Sequence, residues 1–230
     1  MIARKLLMPM SAEHREEFVD PYIDQKTGVL GNLVGASTWD ELRQAEGELV
    51  GVRILEIIAD PPSVRDGSLA ELQEIHRRLF QDVYAWAGMI RTVEIRKNTE
   101  GSAFFLPSQN ISMGLAWAQG ELAHDHMLRS MSKPEFAHRL AYHYDNYNFV
   151  HPFREGNGRT QRMLWTLLCH DAGYDLDWRQ VSGEENDEAS RLAAENRDFA
   201  PLEQMFNRIT VPCDDTKSIN ADFVTTGHLR

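Results

Sequence analysis

The chain has 230 residues and a net charge of −11, so diffuse attraction to nucleic acid or to an anionic membrane surface is excluded as its main business. Hydrophobic residues make up 42%, enough for a sizeable core, yet no apolar run approaches the roughly 18–20 residues that span a bilayer. With only Cys169 and Cys213 there is no disulfide framework or Cys-rich zinc pattern, and a reducing, cytoplasmic setting is the economical expectation.

Residues 1–40 are rich in turn signals such as Asp20-Pro21 and Lys26-Thr27-Gly28. Thr38 with Glu41 reads as a capping box, and Leu42, Ala45, Leu49, Val52, Leu55 and Ile58 follow at helical spacing until Pro61-Pro62. Ser68 with Glu71 starts a second helix, whose apolar face is Leu72, Ile75, Leu79 and Val83. The alternation of Thr92, Val93, Glu94 and Ile95 is strand-like, Asn98 opens a turn, and residues 103–106 supply a return strand closed by Pro107. This is the one convincing hairpin. A lone hairpin either covers one side of a helical core or leaves an edge for an extended partner peptide, and the residues alone leave both open.

A helix is expected from 108 to about 126, and another behind Ser132, Pro134 and Glu135, ending near Asn148 because Pro152 disfavours helical backbone at His151. After residues 151–162, the run from Met163 to His170 is helical and Gly173 stops it. Residues 175–178 bridge to a helix over about 184–197, and Pro201 opens a last one through Ile209. The tail, 211–230, shows little periodicity and reads as flexible. The expected fold is therefore mostly α with a single β-hairpin, one domain over 1–210 with its core at about 68–198.

The stretch 151–162, His-Pro-Phe-Arg-Glu-Gly-Asn-Gly-Arg-Thr-Gln-Arg, carries the chemistry. A loop that turns into a helix at Gly-Asn-Gly offers free backbone N–H groups and the positive end of the helix dipole to an anion. Gly156 and Gly158 permit close approach, and Asn157 offers a side-chain donor. Arg159 and Arg162 lie one turn apart and are able to reach one extended anion. Glu155 is placed to hold Mg²⁺ beside a polyphosphate, and His151 brings an imidazole suited to taking a proton from a hydroxyl. Phe153 is expected to turn inward. Taken singly, a His before Pro, a Gly-Asn-Gly and two arginines are most often structural. The P-loop spacing is absent, as is the strand that a dinucleotide fingerprint requires.

Together these residues match every fixed position of the Fic-domain motif, His-x-Phe-x-(Asp/Glu)-Gly-Asn-Gly-Arg-x-x-Arg, and the chain resembles that family over about 20–210. Flanking similarity lies at 79–88, 90–93 and 176–178. The resemblance implies a helical enzyme that moves AMP from ATP to a Tyr, Ser or Thr hydroxyl of a target protein. It implies His151 as the base, Glu155 as Mg²⁺ ligand, Gly156, Asn157 and Gly158 as the anion hole, and Arg159 and Arg162 on the outer phosphates. The hairpin becomes a flap that docks the target through Thr92, Val93, Glu94, Ile95, Phe104 and Phe105, with Lys97 and Asn98 near the nucleotide. Many Fic proteins also carry an inhibitory helix, (Ser/Thr)-x-x-x-Glu-(Gly/Asn), whose Glu pairs with the second motif arginine, here Arg162. No Ser or Thr of this chain begins that pattern: Glu46-Gly47 follows Leu42, and Glu195-Asn196 follows Arg191. The resemblance then implies a separate small antitoxin chain that carries the pattern and contacts Arg162, with this chain as the toxin. The alternatives are a Fic enzyme with another nucleotide or a phosphocholine donor, or a non-catalytic interaction module.

Overall fold

The computed structural model describes residues 19–96, 105–213, 219–221 and 224. Helix α1, Trp39–Ala59, starts at the expected capping box: Thr38 accepts the Glu41 N–H while the Glu41 carboxylate accepts the Thr38 N–H. Helix α2, Leu69–Phe80, is capped by Ser68, but Glu71 turns its carboxylate back to the Asp66 and Gly67 amides, so only half of the predicted box forms. A single 3₁₀ turn at Ser108–Asn110 leads into α3, Ile111–His124.

Helix α4, Lys133–Val150, has Pro134 in its first turn, as expected, although Ser132 makes no side-chain cap bond. It runs two residues past Asn148 and stops at His151, whose φ of 47° and ψ of 64° are left-handed. That conformation satisfies the Pro152 constraint by leaving the helix at the last residue that can do so. Helices α5, Asn157–Asp171, α6, Gly183–Asn196, and α7, Ala200–Ile209, follow.

Helix α4 packs against α3, α5, α6 and α7, while α2 lies against α1 and α5. Trp165, Phe80, Phe136, Phe153 and Phe206 are the largest apolar side chains fully enclosed between them. Two regions differ from expectation. Strand β1, Tyr174–Leu176, pairs antiparallel with β2, Thr210–Pro212, in the register Tyr174 to Pro212 and Leu176 to Thr210. The tail therefore does not begin at Val211: Val211 and Pro212 close this sheet, and Ile219 beyond them is buried. Three-residue strands are held by two backbones meeting and leave no alternation to read.

At the hairpin, the Phe105 N–H donates to the Ile95 carbonyl at 3.2 Å, so the base of the two arms is paired. Lys97, Asn98 and Phe104 lie outside the described residues. Among the described residues no helix is long and apolar enough to cross a membrane.

Candidate active site

The loop between α4 and α5 is held in place from behind. Asn157 accepts the Phe153 N–H at 2.9 Å through Oδ1 and donates Nδ2 to the Phe153 carbonyl at 2.8 Å. This corrects the expected role of its side chain: the amide is buried and staples the loop instead of facing an anion. Phe153, fully buried, stacks on His76 with centroids 3.9 Å apart.

His76 joins two segments. It accepts the Gly88 N–H at Nδ1 (2.7 Å), which fixes the proton on Nε2 for donation to the Glu155 carbonyl (3.0 Å). Burial pushes its pKa down to about 3, so the ring is neutral at physiological pH. The sequence reading missed this residue. Its one signal was a polar side chain four residues from both Leu72 and Phe80 on the buried face of α2.

Arg91 was missed as well. Fully buried, it donates Nε to the His151 carbonyl at 2.9 Å, Nη1 to the Val93 carbonyl at 2.7 Å and Nη2 to the Leu106 carbonyl. One guanidinium thus ties the base of the hairpin to the residue that ends α4. Its backbone N–H also meets the Pro152 carbonyl. Such a fork satisfies carbonyls from three segments at once, which an ammonium would do less rigidly.

The His151 ring stacks flat on Phe105, 3.7 Å between centroids. Its Nδ1 lies 3.1 Å from the Asn148 carbonyl, which selects the Nδ1–H tautomer and makes Nε2 the basic nitrogen. Gly156 takes φ +79°, and a Cβ there would sit 2.4 Å from the Phe80 ring, so only glycine fits. The first turn of α5 leaves the amides of Asn157, Gly158 and Arg159 without intrahelical acceptors. Open space surrounds the Cβ position of Gly158. The Gly156 N–H is taken by Glu155 Oε1 at 2.9 Å.

The arginines have different surroundings. Arg159 pairs through Nη1 with Glu46 of α1, lies 3.5 Å from Glu155, and covers the Phe80 ring at 4.7 Å. Arg162 is half-buried, and no carboxylate of the described residues stands within ion-pair distance of it. Burial is the main influence on its guanidinium and lowers its pKa, with Tyr144 and Asp187 pulling the other way. Arg154 turns away to Asp20 of the N-terminal segment.

Residues of the predicted docking flap divide as well. Val93 is buried, and the Glu94 carboxylate accepts the Ser108 N–H and hydroxyl, so both brace the hairpin. Thr92 is exposed, and Ile95 and Phe105 are half-buried at the paired base.

Residues 66–169 match the Fic/DOC family. The protein adenylyltransferase VbhT of Bartonella schoenbuchensis is 36% identical over 171 residues, covering 74% of this chain and 35% of that one. An Escherichia coli protein named "Probable protein adenylyltransferase Fic" is 30% identical over 190 residues, 83% of this chain and 92% of its own length. This chain belongs to the Fic/DOC family. The BepC protein of Bartonella tribocorum, crystallised with bound AMPPNP, superimposes with a TM-score of 0.77 at 25% identity, covering 84% of this chain and 97% of that one. This Fic chain spans about a third of the length of VbhT and nearly all of the E. coli relative.

Proposed function

We propose that this chain is a protein adenylyltransferase, transferring AMP from ATP to a Tyr, Ser or Thr hydroxyl of a target protein. The observation that carries the nucleotide assignment is Arg162, a half-buried cation with no ion-pair carboxylate among the described residues. A cation in that state calls for an external anion. It lies one turn along α5 from the open amides of the first turn, so an extended polyphosphate is the shape that meets both. The bound nucleotide analogue of BepC and the names of the relatives supply the class of reaction.

In this reading the target hydroxyl gives its proton to His151 Nε2 as its oxygen bonds to the α-phosphorus. The bond from that phosphorus to the β-bridging oxygen breaks, and pyrophosphate leaves. The Asn148 carbonyl orients the imidazole, and Arg91 holds the backbone beneath it. The amides of Asn157, Gly158 and Arg159, with the Arg159 and Arg162 guanidinium groups, bind the phosphates and stabilise developing charge. A half-exposed carboxylate beside the helix N-terminus suits Mg²⁺ that shares phosphate and water oxygens. When bound, Mg²⁺ would offset phosphate charge; Glu155 would hold it. The hairpin, paired at its base, would let a target segment add as a strand along its outer edge.

The same Arg162 is the group an inhibitory glutamate would meet. Glu46, of the Glu46-Gly47 pair on α1, reaches Arg159 instead. That supports an inhibitor on a separate antitoxin chain bearing (Ser/Thr)-x-x-x-Glu-(Gly/Asn), with this chain as the toxin in the cytoplasm.

The test is incubation of a cell lysate with α-labelled ATP, α-labelled UTP and labelled CDP-choline. A discrete protein band labelled by ATP alone, and lost with His151→Ala while ATP binding persists, is the expected result. Labelling that survives His151→Ala would remove the assigned base, and labelling by another donor would change the substrate.

A further inference from the structure

Glu46 lies on α1, outside the 66–169 segment that matches the family, yet its carboxylate is the ion-pair partner of Arg159. Glu46 is 6% exposed and the Arg159 side chain 10%, so the pair is shielded from water. The Tyr84 hydroxyl donates to the same carboxylate. Burial first, and then the Glu46 charge, raise the pKa of that phenol and keep it a donor. Phe80 lies beneath the guanidinium and Glu155 alongside it.

We propose that Glu46 is a positioning residue for phosphate binding. It holds Arg159 Nη1 from behind, with Tyr84 fixing the carboxylate, so that the rest of the guanidinium is already aimed when the nucleotide arrives. This rests on the nucleotide reading above. An arginine side chain is rich in rotamers, and an anion that must order it binds less tightly than one that meets it ordered. The opposite reading, an internal brake in which Glu46 competes with phosphate for Arg159, fits less well. The carboxylate is buried and already hydrogen-bonded by Tyr84, so it gains nothing by release.

Calorimetric titration with ATP and Mg²⁺, beside steady-state AMP transfer, separates these for the wild type, Glu46→Gln and Tyr84→Phe, with the folded fraction of each measured by circular dichroism. Glu46→Gln is expected to weaken ATP binding about tenfold and Tyr84→Phe about two- to threefold. KM for ATP should rise in step while kcat per folded molecule holds, the pattern of lost ground-state binding. If Glu46→Gln fails to fold, Tyr84→Phe carries the test, because it leaves the ion pair in place. Unchanged ATP affinity in a folded variant, with only a lower melting temperature, overturns the proposal. So does tighter binding or faster transfer, which would make Glu46 a brake. A wild type that binds no ATP would instead bring down the nucleotide reading itself.

Discussion

Arg159 and Arg162 stand one helical turn apart in the same motif, yet α1 and α2 enclose Arg159 while Arg162 faces α4 and α6. Arg159 has a buried carboxylate, a further carboxylate alongside and an aromatic face. Arg162 is half-buried, and no ion pair of the described residues offsets the cost. The difference teaches that spacing alone does not assign equal roles. One arginine belongs to the fold as much as to the site, and the other is kept for whatever binds.

Substitution should expose that difference most sharply at Arg159. Arg159→Met strands Glu46 as a buried unpaired charge, so unfolding free energy should drop by about 3–5 kcal/mol in a denaturant titration. A loss below about 1 kcal/mol would mean the pair does not hold α1 to α5. Arg162→Met should behave in the reverse way. Stability should stay level or rise, while ATP affinity falls roughly ten- to a hundredfold, as expected when one charge-assisted contact is lost. Equal melting losses for both variants would erase the distinction.

The acid limb of stability tests the enclosed side further. The His76 pKa is lowered to about 3 by burial, from an ordinary value of 6.5. Below 6.5 the unfolded chain binds a proton that the folded one refuses. The contribution is therefore complete above pH 6.5 and is lost as pH falls toward about 3, by at most about 1.4 kcal/mol per unit. Glu71 acts with the opposite sign: burial raises it to about 7 from 4.5, so its contribution is lost as pH rises through that interval. His76→Phe should flatten the acid limb and leave the Glu71 slope, with melting temperature followed from pH 7 to pH 4. An unchanged acid limb would show that His76 is not the group responsible.

What was legible in the chain was what is local. The Thr38 and Ser68 caps, Pro134 in the first turn of α4 and the apolar face of α2 each lie within a few residues of what they specify. The apolar set read for α1, by contrast, mistook its buried face: Val52 and Leu55 are exposed, and Leu42, Glu46, Val50, Ile54 and Ile57 turn inward. The stretch 151–162 stood out because a glycine-framed helix start gathers an imidazole, a carboxylate and arginines in twelve consecutive positions. What holds that stretch in place was not legible. His76 meets Glu155 across 79 residues, Arg91 meets His151 across 60, and Glu46 meets Arg159 from α1. Each is an ordinary polar residue on a helix or loop until the fold supplies its partner. Asn157 shows the same limit from within the motif. Its position was plain, but only packing tells whether an amide faces the anion or staples the loop.

The central claim is that the α-phosphorus, not the γ-phosphorus, ends on a protein hydroxyl. Parallel lysate reactions with α-labelled and γ-labelled ATP measure this directly. The account predicts a protein band that carries the α label alone. A band that carries the γ label would make the enzyme a kinase and contradict it.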